Sequence, residues 1–179
     1  MEQRKEKVAF WLMPAADARA VFASLVNDLA KRLHAPVFEP HVTLQGAELE
    51  ERRAIEVLND AGATSAPLQL QVAAVQSSEK YTKTLYVQFA RSEEAAGLSN
   101  AITRAVGDNG YNFDPHLSLL YKTLPEAVKL ELARETKIPL QQVSFDALQL
   151  VSIPRTIECA GDVRAWRTIA ECRLTPTSK

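Results

Sequence analysis

The chain has 179 residues, of which 46% are hydrophobic, and its 21 Lys and Arg against 22 Asp and Glu leave a net charge of -1. That length supports one domain with a proper core, and the charge argues against a protein that grips long nucleic acid mainly by phosphate neutralisation, which needs a clustered positive surface. No apolar run reaches the roughly 18 residues needed to span a bilayer, and the charged start, residues 1–7, leads into too short an apolar stretch for a secretory signal. We expect a soluble cytoplasmic protein, monomeric and with no membrane partner. The only cysteines, Cys159 and Cys172, lack metal-type spacing and are expected to be reduced thiols.

In chain order, Val8-Ala9-Phe10-Trp11-Leu12-Met13 reads as a buried strand ended by Pro14. A helix follows over about 16–33, with Ala18, Val21, Phe22, Leu25, Leu29 and Leu33 at three- and four-residue spacing. Asp17 near its start and Lys31 and Arg32 near its end suit the helix dipole, and His34 beyond them reads as structural. Next come a strand over about 41–45, a helix over about 49–61 stopped by Gly62, and strands over about 68–76 and 84–90. The second half opens with a helix over about 93–106, capped by Ser92 and ended by Gly107, and feeds a strand at His116. Thr123-Leu124-Pro125-Glu126 reads as a capping box for a helix to about 136, before strands over about 143–151 and 166–174. Each half thus reads helix, strand, helix, two strands, a pattern that suits two similar α+β lobes with facing sheets and helices outside.

The two short strands carry one pattern twice: Pro40-His41-Val42-Thr43-Leu44 and Pro115-His116-Leu117-Ser118-Leu119. On an extended strand His41 and Thr43 share one face while Val42 and Leu44 share the other, and His116 with Ser118 repeats that geometry against Leu117 and Leu119. Two imidazoles can then meet across a groove, each with a hydroxyl beside it, as the aliphatic residues pack inward.

In these motifs the chain resembles the two-histidine phosphoesterase superfamily, which is defined by two His-x-Thr/Ser motifs. The flanks, Phe38-Glu39-Pro40 before His41, Gln45-Gly46 after the first motif and Leu120-Tyr121 after the second, most resemble the cyclic nucleotide phosphodiesterase branch of plants and fungi. The bacterial and archaeal branch usually has Phe-Leu-Gly after its first motif. Gly161-Asp162-Val163-Arg164-Ala165-Trp166-Arg167 resembles the family's final loop and strand entry, so the resemblance covers nearly the whole chain. It implies an α+β fold forming a single bilobal domain over residues 1–179, with two facing antiparallel sheets, helices on the outside and the active site in the groove between lobes.

Opening a cyclic phosphodiester in line requires a base that takes a proton from water and an acid that protonates the departing oxygen. Imidazole titrates near neutral pH, so His41 and His116 can fill both roles at once, although the sequence does not say which is which. The hydroxyls of Thr43 and Ser118 can donate to the non-bridging oxygens, where transition-state charge concentrates. No cofactor or metal is expected: beyond the two histidines, only Asp114, Cys159 and Cys172 are candidate ligands, and none has diagnostic spacing.

Substrate contacts are expected from Tyr121, which matches a family position that stacks on a base, and from Tyr81 in the loop before the fourth strand. Trp166 resembles a family tryptophan, although a tryptophan entering a strand most often anchors a core, and Arg155, Arg164 and Lys83 are loop cations that can neutralise phosphates but by default read as unpaired surface charge. The expected activity is metal-independent hydrolysis of 2′,3′-cyclic nucleotides or ADP-ribose 1″,2″-cyclic phosphate, leaving a phosphomonoester. For nucleosides the branch resemblance implies a 2′-phosphate. The alternatives are action on RNA ends carrying 2′,3′-cyclic phosphate or on 2′-5′ linkages, and a nucleotide-binding module that performs no chemistry.

Overall fold

The computed structural model describes residues 6–175. Residues 1–5, part of the charged start weighed above against a secretory signal, lie outside them. The first strand, β1 (Glu6–Pro14), is apolar on both faces: Val8, Phe10 and Leu12 enter the main core, and Ala9, Trp11 and Met13 a smaller second one. The helix α1 (Ala16–Leu33) buries Phe22, Val26, Leu29 and Ala30 from its stripe. His34 caps it at φ 52°, in the left-handed region, with its backbone N–H donating to the Ala30 carbonyl.

Then follow β2 (Val42–Leu49), α2 (Glu51–Ala63), β3 (Leu68–Ser77), a 3-10 turn (Tyr81–Lys83) and β4 (Leu85–Phe89). The second half is α3 (Glu93–Val106), β5 (His116–Leu120), α4 (Glu126–Glu135), β6 (Gln142–Ser152), α5 (Ala160–Arg164) and β7 (Arg167–Arg173). Ser92 caps α3 by accepting from the Ala95 N–H at 3.2 Å, and Gly107 ends it at φ 97°.

Two local expectations are corrected. Gly62 does not stop α2: the helix runs through it, and a Cβ there would fall 2.5 Å from Cys172 Sγ on β7, so this glycine permits a close approach of helix to strand. Thr64 closes the helix instead, its Oγ1 donating to the Asp60 carbonyl at 2.8 Å. No capping box opens α4. Its N-cap is Pro125, which offers no side-chain acceptor, and among the described residues a capping box is found instead at α5, between Cys159 and Asp162.

All seven strands pair antiparallel in the order β1-β2-β5-β4-β3-β6-β7, and β6 also pairs with β1. The two sheets expected from the sequence are two parts of this one network, β7-β6-β1-β2 and β5-β4-β3. They join through a single β2–β5 pair, Val42 with Leu117, and through the β3–β6 register from Leu68–Phe145 to Gln71–Gln142. Each part mixes both halves of the chain, for β2 lies with β6 and β7 while β5 lies with β3 and β4. The helices α2 and α3 pack on the first part; α4 packs on β3 and β4, and α1 on β5 and β1. Phe10, Phe22, Phe89 and Phe145 are among the largest fully buried side chains, each worth roughly 1.5–3 kcal/mol of transfer free energy. No helix of the described residues is long and apolar enough to cross a membrane.

Candidate active site

The β2–β5 junction decides where the motif side chains go. Val42 and Leu117 face each other across it and are both fully buried, so the residues beside them in each strand turn to the opposite face. Because the strands are antiparallel about this pair, Thr43 falls toward His116 and His41 toward Ser118. The repeated motif thus becomes a local twofold arrangement, and all four residues line one cleft of about 620 Å³.

Both histidines are fixed by the same device. His41 Nδ1 lies 2.6 Å from the Glu39 carbonyl and His116 Nδ1 lies 2.8 Å from the Asp114 carbonyl. A carbonyl only accepts, so Nδ1 carries the proton in each ring and Nε2 is left as the working nitrogen. Burial pushes the His41 pKa down to about 3, against the Glu39 hydrogen bond and with a smaller contribution from His116. His116 is also held below its ordinary value, chiefly by burial; Lys83 and Lys80 add to this, while the Asp114 carbonyl and carboxylate oppose it.

The two hydroxyls differ. Thr43 is half-buried in the cleft wall, and its hydroxyl has no partner among the described residues. The Ser118 hydroxyl already donates to the Thr82 carbonyl at 2.7 Å, tying β5 to the 3-10 turn.

Tyr121 lines the cleft, but it is 3% exposed and one face is covered by Phe38, with centroids 4.0 Å apart and planes 8° from parallel. Tyr81 stands behind it, 6.1 Å away and outside the cleft lining, and Thr82 is the residue of that turn that reaches the cavity. Trp166 joins the aromatic wall, edge-on to Trp11 at 5.2 Å and to His41 at 6.0 Å. Of the loop cations, Arg155 pairs with Glu48 at 3.2 Å and Lys83 with Asp114 at 2.5 Å, and neither they nor Arg164 line the cleft. Among the described residues no group of three or more His, Cys, Asp or Glu is placed to hold a metal ion. Cys159 and Cys172 are free thiols.

Trp11, Tyr111 and Asn109 are among the cleft residues that escape the sequence reading. Trp11 stacks on His41 with centroids 3.6 Å apart and planes 8° from parallel; its signal is alternation with Ala9 and Met13, hidden because the opposite face of β1 is apolar too. Tyr111 donates to the Thr43 carbonyl at 3.0 Å, and Asn109 donates to the Gly46 carbonyl at 2.7 Å. Both come from the loop before β5, where no periodicity marks them.

Residues 7–174 match the model of a family described as cyclic phosphodiesterase-like protein. Among solved structures, TT0787 of Thermus thermophilus superposes with a TM-score of 0.64 at 11% identity, over 94% of this chain and 97% of that one. Escherichia coli LigT complexed with 3′-AMP gives a TM-score of 0.60 at 17% identity, over 96% and 99% of the two chains. LigT complexed with NADP+ gives 0.58 at 12% identity, over 95% and 98%. No curated protein matches the chain by sequence.

Proposed function

The chain belongs to the cyclic phosphodiesterase-like family of two-histidine phosphoesterases, and from that premise we propose that it hydrolyses 2′,3′-cyclic nucleotides, or ADP-ribose 1″,2″-cyclic phosphate, to a phosphomonoester. The observation that carries this reading is the pairing of the motifs. One imidazole immediately before β2 and one at the start of the neighbouring β5 have Nδ1 bound to a backbone carbonyl, which gives the cleft two working nitrogens related by a local twofold.

In the reaction, one Nε2 takes a proton from water as the water oxygen bonds to phosphorus. The bond from phosphorus to one ring oxygen breaks on the far side, and that oxygen takes a proton from the other Nε2. The hydroxyl of Thr43 is free to donate to a non-bridging oxygen; Ser118 can do so only by releasing Thr82. Both proton transfers are supplied by the protein, so this scheme needs no metal. The aromatic wall of Trp11, Trp166 and Tyr121 and a cleft of about 620 Å³ suit a nucleotide-sized ligand, in keeping with the 3′-AMP, ATP and NADP+ bound by LigT.

The test is turnover of a panel of 2′,3′-cyclic nucleotides and ADP-ribose cyclic phosphate in EDTA, with products assigned by phosphorus NMR. The expected result is a phosphomonoester, the 2′ isomer for nucleosides, lost in both His→Ala variants. No turnover of any of these, with turnover of RNA bearing a terminal cyclic phosphate, would replace this reading by the RNA-end one. Binding of nucleotides without any turnover would leave a binding module.

A further inference from the structure

The two histidines are alike in backbone and unlike in what stands behind them. Behind His41 the Glu39 carboxylate turns away to Arg19, 3.0 Å distant. Behind His116 a carboxylate stays close: Asp114 Oδ2 is 3.6 Å from Nδ1. That carboxylate is held on both sides, Lys83 Nζ donating to Oδ2 at 2.5 Å and Gln88 Nε2 to Oδ1 at 2.9 Å. Gln88 is the cross-strand partner of His116, so β4 carries the clamp in register with the ring it serves. The ammonium of Lys83 also lies 4.3 Å from the centre of the Tyr86 ring, which meets His116 edge-on at 5.6 Å. The charged and titratable groups facing His116 are therefore Asp114 before its own strand, Lys80 and Lys83 at the 3-10 turn, Tyr86 on β4 and His41 across the cleft, while Tyr111 faces Asp114.

We propose that Asp114, fixed by Lys83 and Gln88, is a positioning residue that makes His116 the protonated member of the pair and the acid of the reaction, leaving His41 as the base. The inference rests on the two-histidine reading above. An opposite charge within about 4–6 Å favours the charged form of a titrating group, and only His116 has such a carboxylate beside its committed Nδ1–H. Lys83 keeps Asp114 ionised and in place while offsetting part of its field. In the cycle, His41 Nε2 gains the water proton, His116 Nε2 gives its own to the leaving ring oxygen, and both rings reset through solvent.

The experiment follows the histidine ring resonances by NMR against pH in the wild type, Asp114→Asn and Lys83→Met, alongside the pH profile of kcat/KM on a cyclic phosphate. The His116 midpoint should fall by about half a unit to one unit in Asp114→Asn and rise by a similar amount in Lys83→Met, with His41 unmoved. The basic limb of the profile should move with it in both variants, and the acidic limb should stay. Shifts of opposite sign separate a charge effect from a general loosening of the site. A His116 midpoint that stays fixed in both variants, or movement of the acidic limb instead, overturns the proposal. The ring titration needs no turnover: the expected ring shifts in a protein that turns over no cyclic phosphate would support the hold of Asp114 on His116 and sink the hydrolase reading instead.

Discussion

The first copy of the motif is walled by rings and the second by charges. His41 lies between Trp11 and the edge of Trp166, while His116 lies among Asp114, Lys83 and Tyr86. Their backbones agree down to the carbonyl that holds each Nδ1. A repeated motif therefore secures equal geometry, and unequal surroundings set the two rings in different electrostatic environments.

The comparison breaks most sharply at the histidines themselves. Replacing either by Ala should lower kcat by about 10² to 10⁴, the usual worth of a general acid or base. Steady-state rates on a cyclic nucleotide check this, and a copy whose loss costs less than about tenfold has no share in the proton transfers. Next comes the aromatic wall: Trp11→Ala should cost about 3–5 kcal/mol of stability by denaturant unfolding, because Trp11 is buried, belongs to the second core and stacks on His41.

The same burial makes stability depend on pH. His41 titrates near 3 in the folded chain against 6.5 when free, so between those values the unfolded state binds the extra proton and stability falls as the pH is lowered. The loss should reach about 3 kcal/mol by pH 4. Denaturant midpoints across that range check it, and the slope should shrink in His41→Ala to the part left by His116, whose pKa burial also holds down. The hydroxyls sharpen the comparison last. Thr43→Val should lower kcat by about 10², as the loss of an oxyanion donor does, with little change in stability. Ser118→Ala should cost about 1 kcal/mol of stability, because its hydroxyl anchors Thr82.

The order of the main elements is legible from the 3.6- and 2-residue periods, and the motif residues from their repetition. His41, Thr43, His116 and Ser118 fall in one cleft because strand alternation is a local property that survives folding. What the sequence hides is long-range. Nothing in residues 107–115 announces that Tyr111 and Asn109 return to the β2 backbone. Gly62 reads as a stop because its neighbour Cys172 is more than a hundred residues away in sequence. Tyr121 is expected to stack on a ligand, and its stacking partner within the chain is Phe38, on a segment whose approach periodicity cannot describe.

The twofold pairing about Val42 and Leu117 has a stereochemical corollary. A cyclic diester has two ester oxygens on one phosphorus, and two imidazoles of matching backbone geometry accept it in either orientation; with His116 as the proposed acid, the oxygen turned toward His116 is the one that leaves. Regiochemistry is then decided by whatever fixes the rest of the substrate. Under the proposed reaction, the unequal lining of Trp11, Trp166 and Thr82 is therefore the place to turn the substrate and redirect cleavage from one ester oxygen to the other.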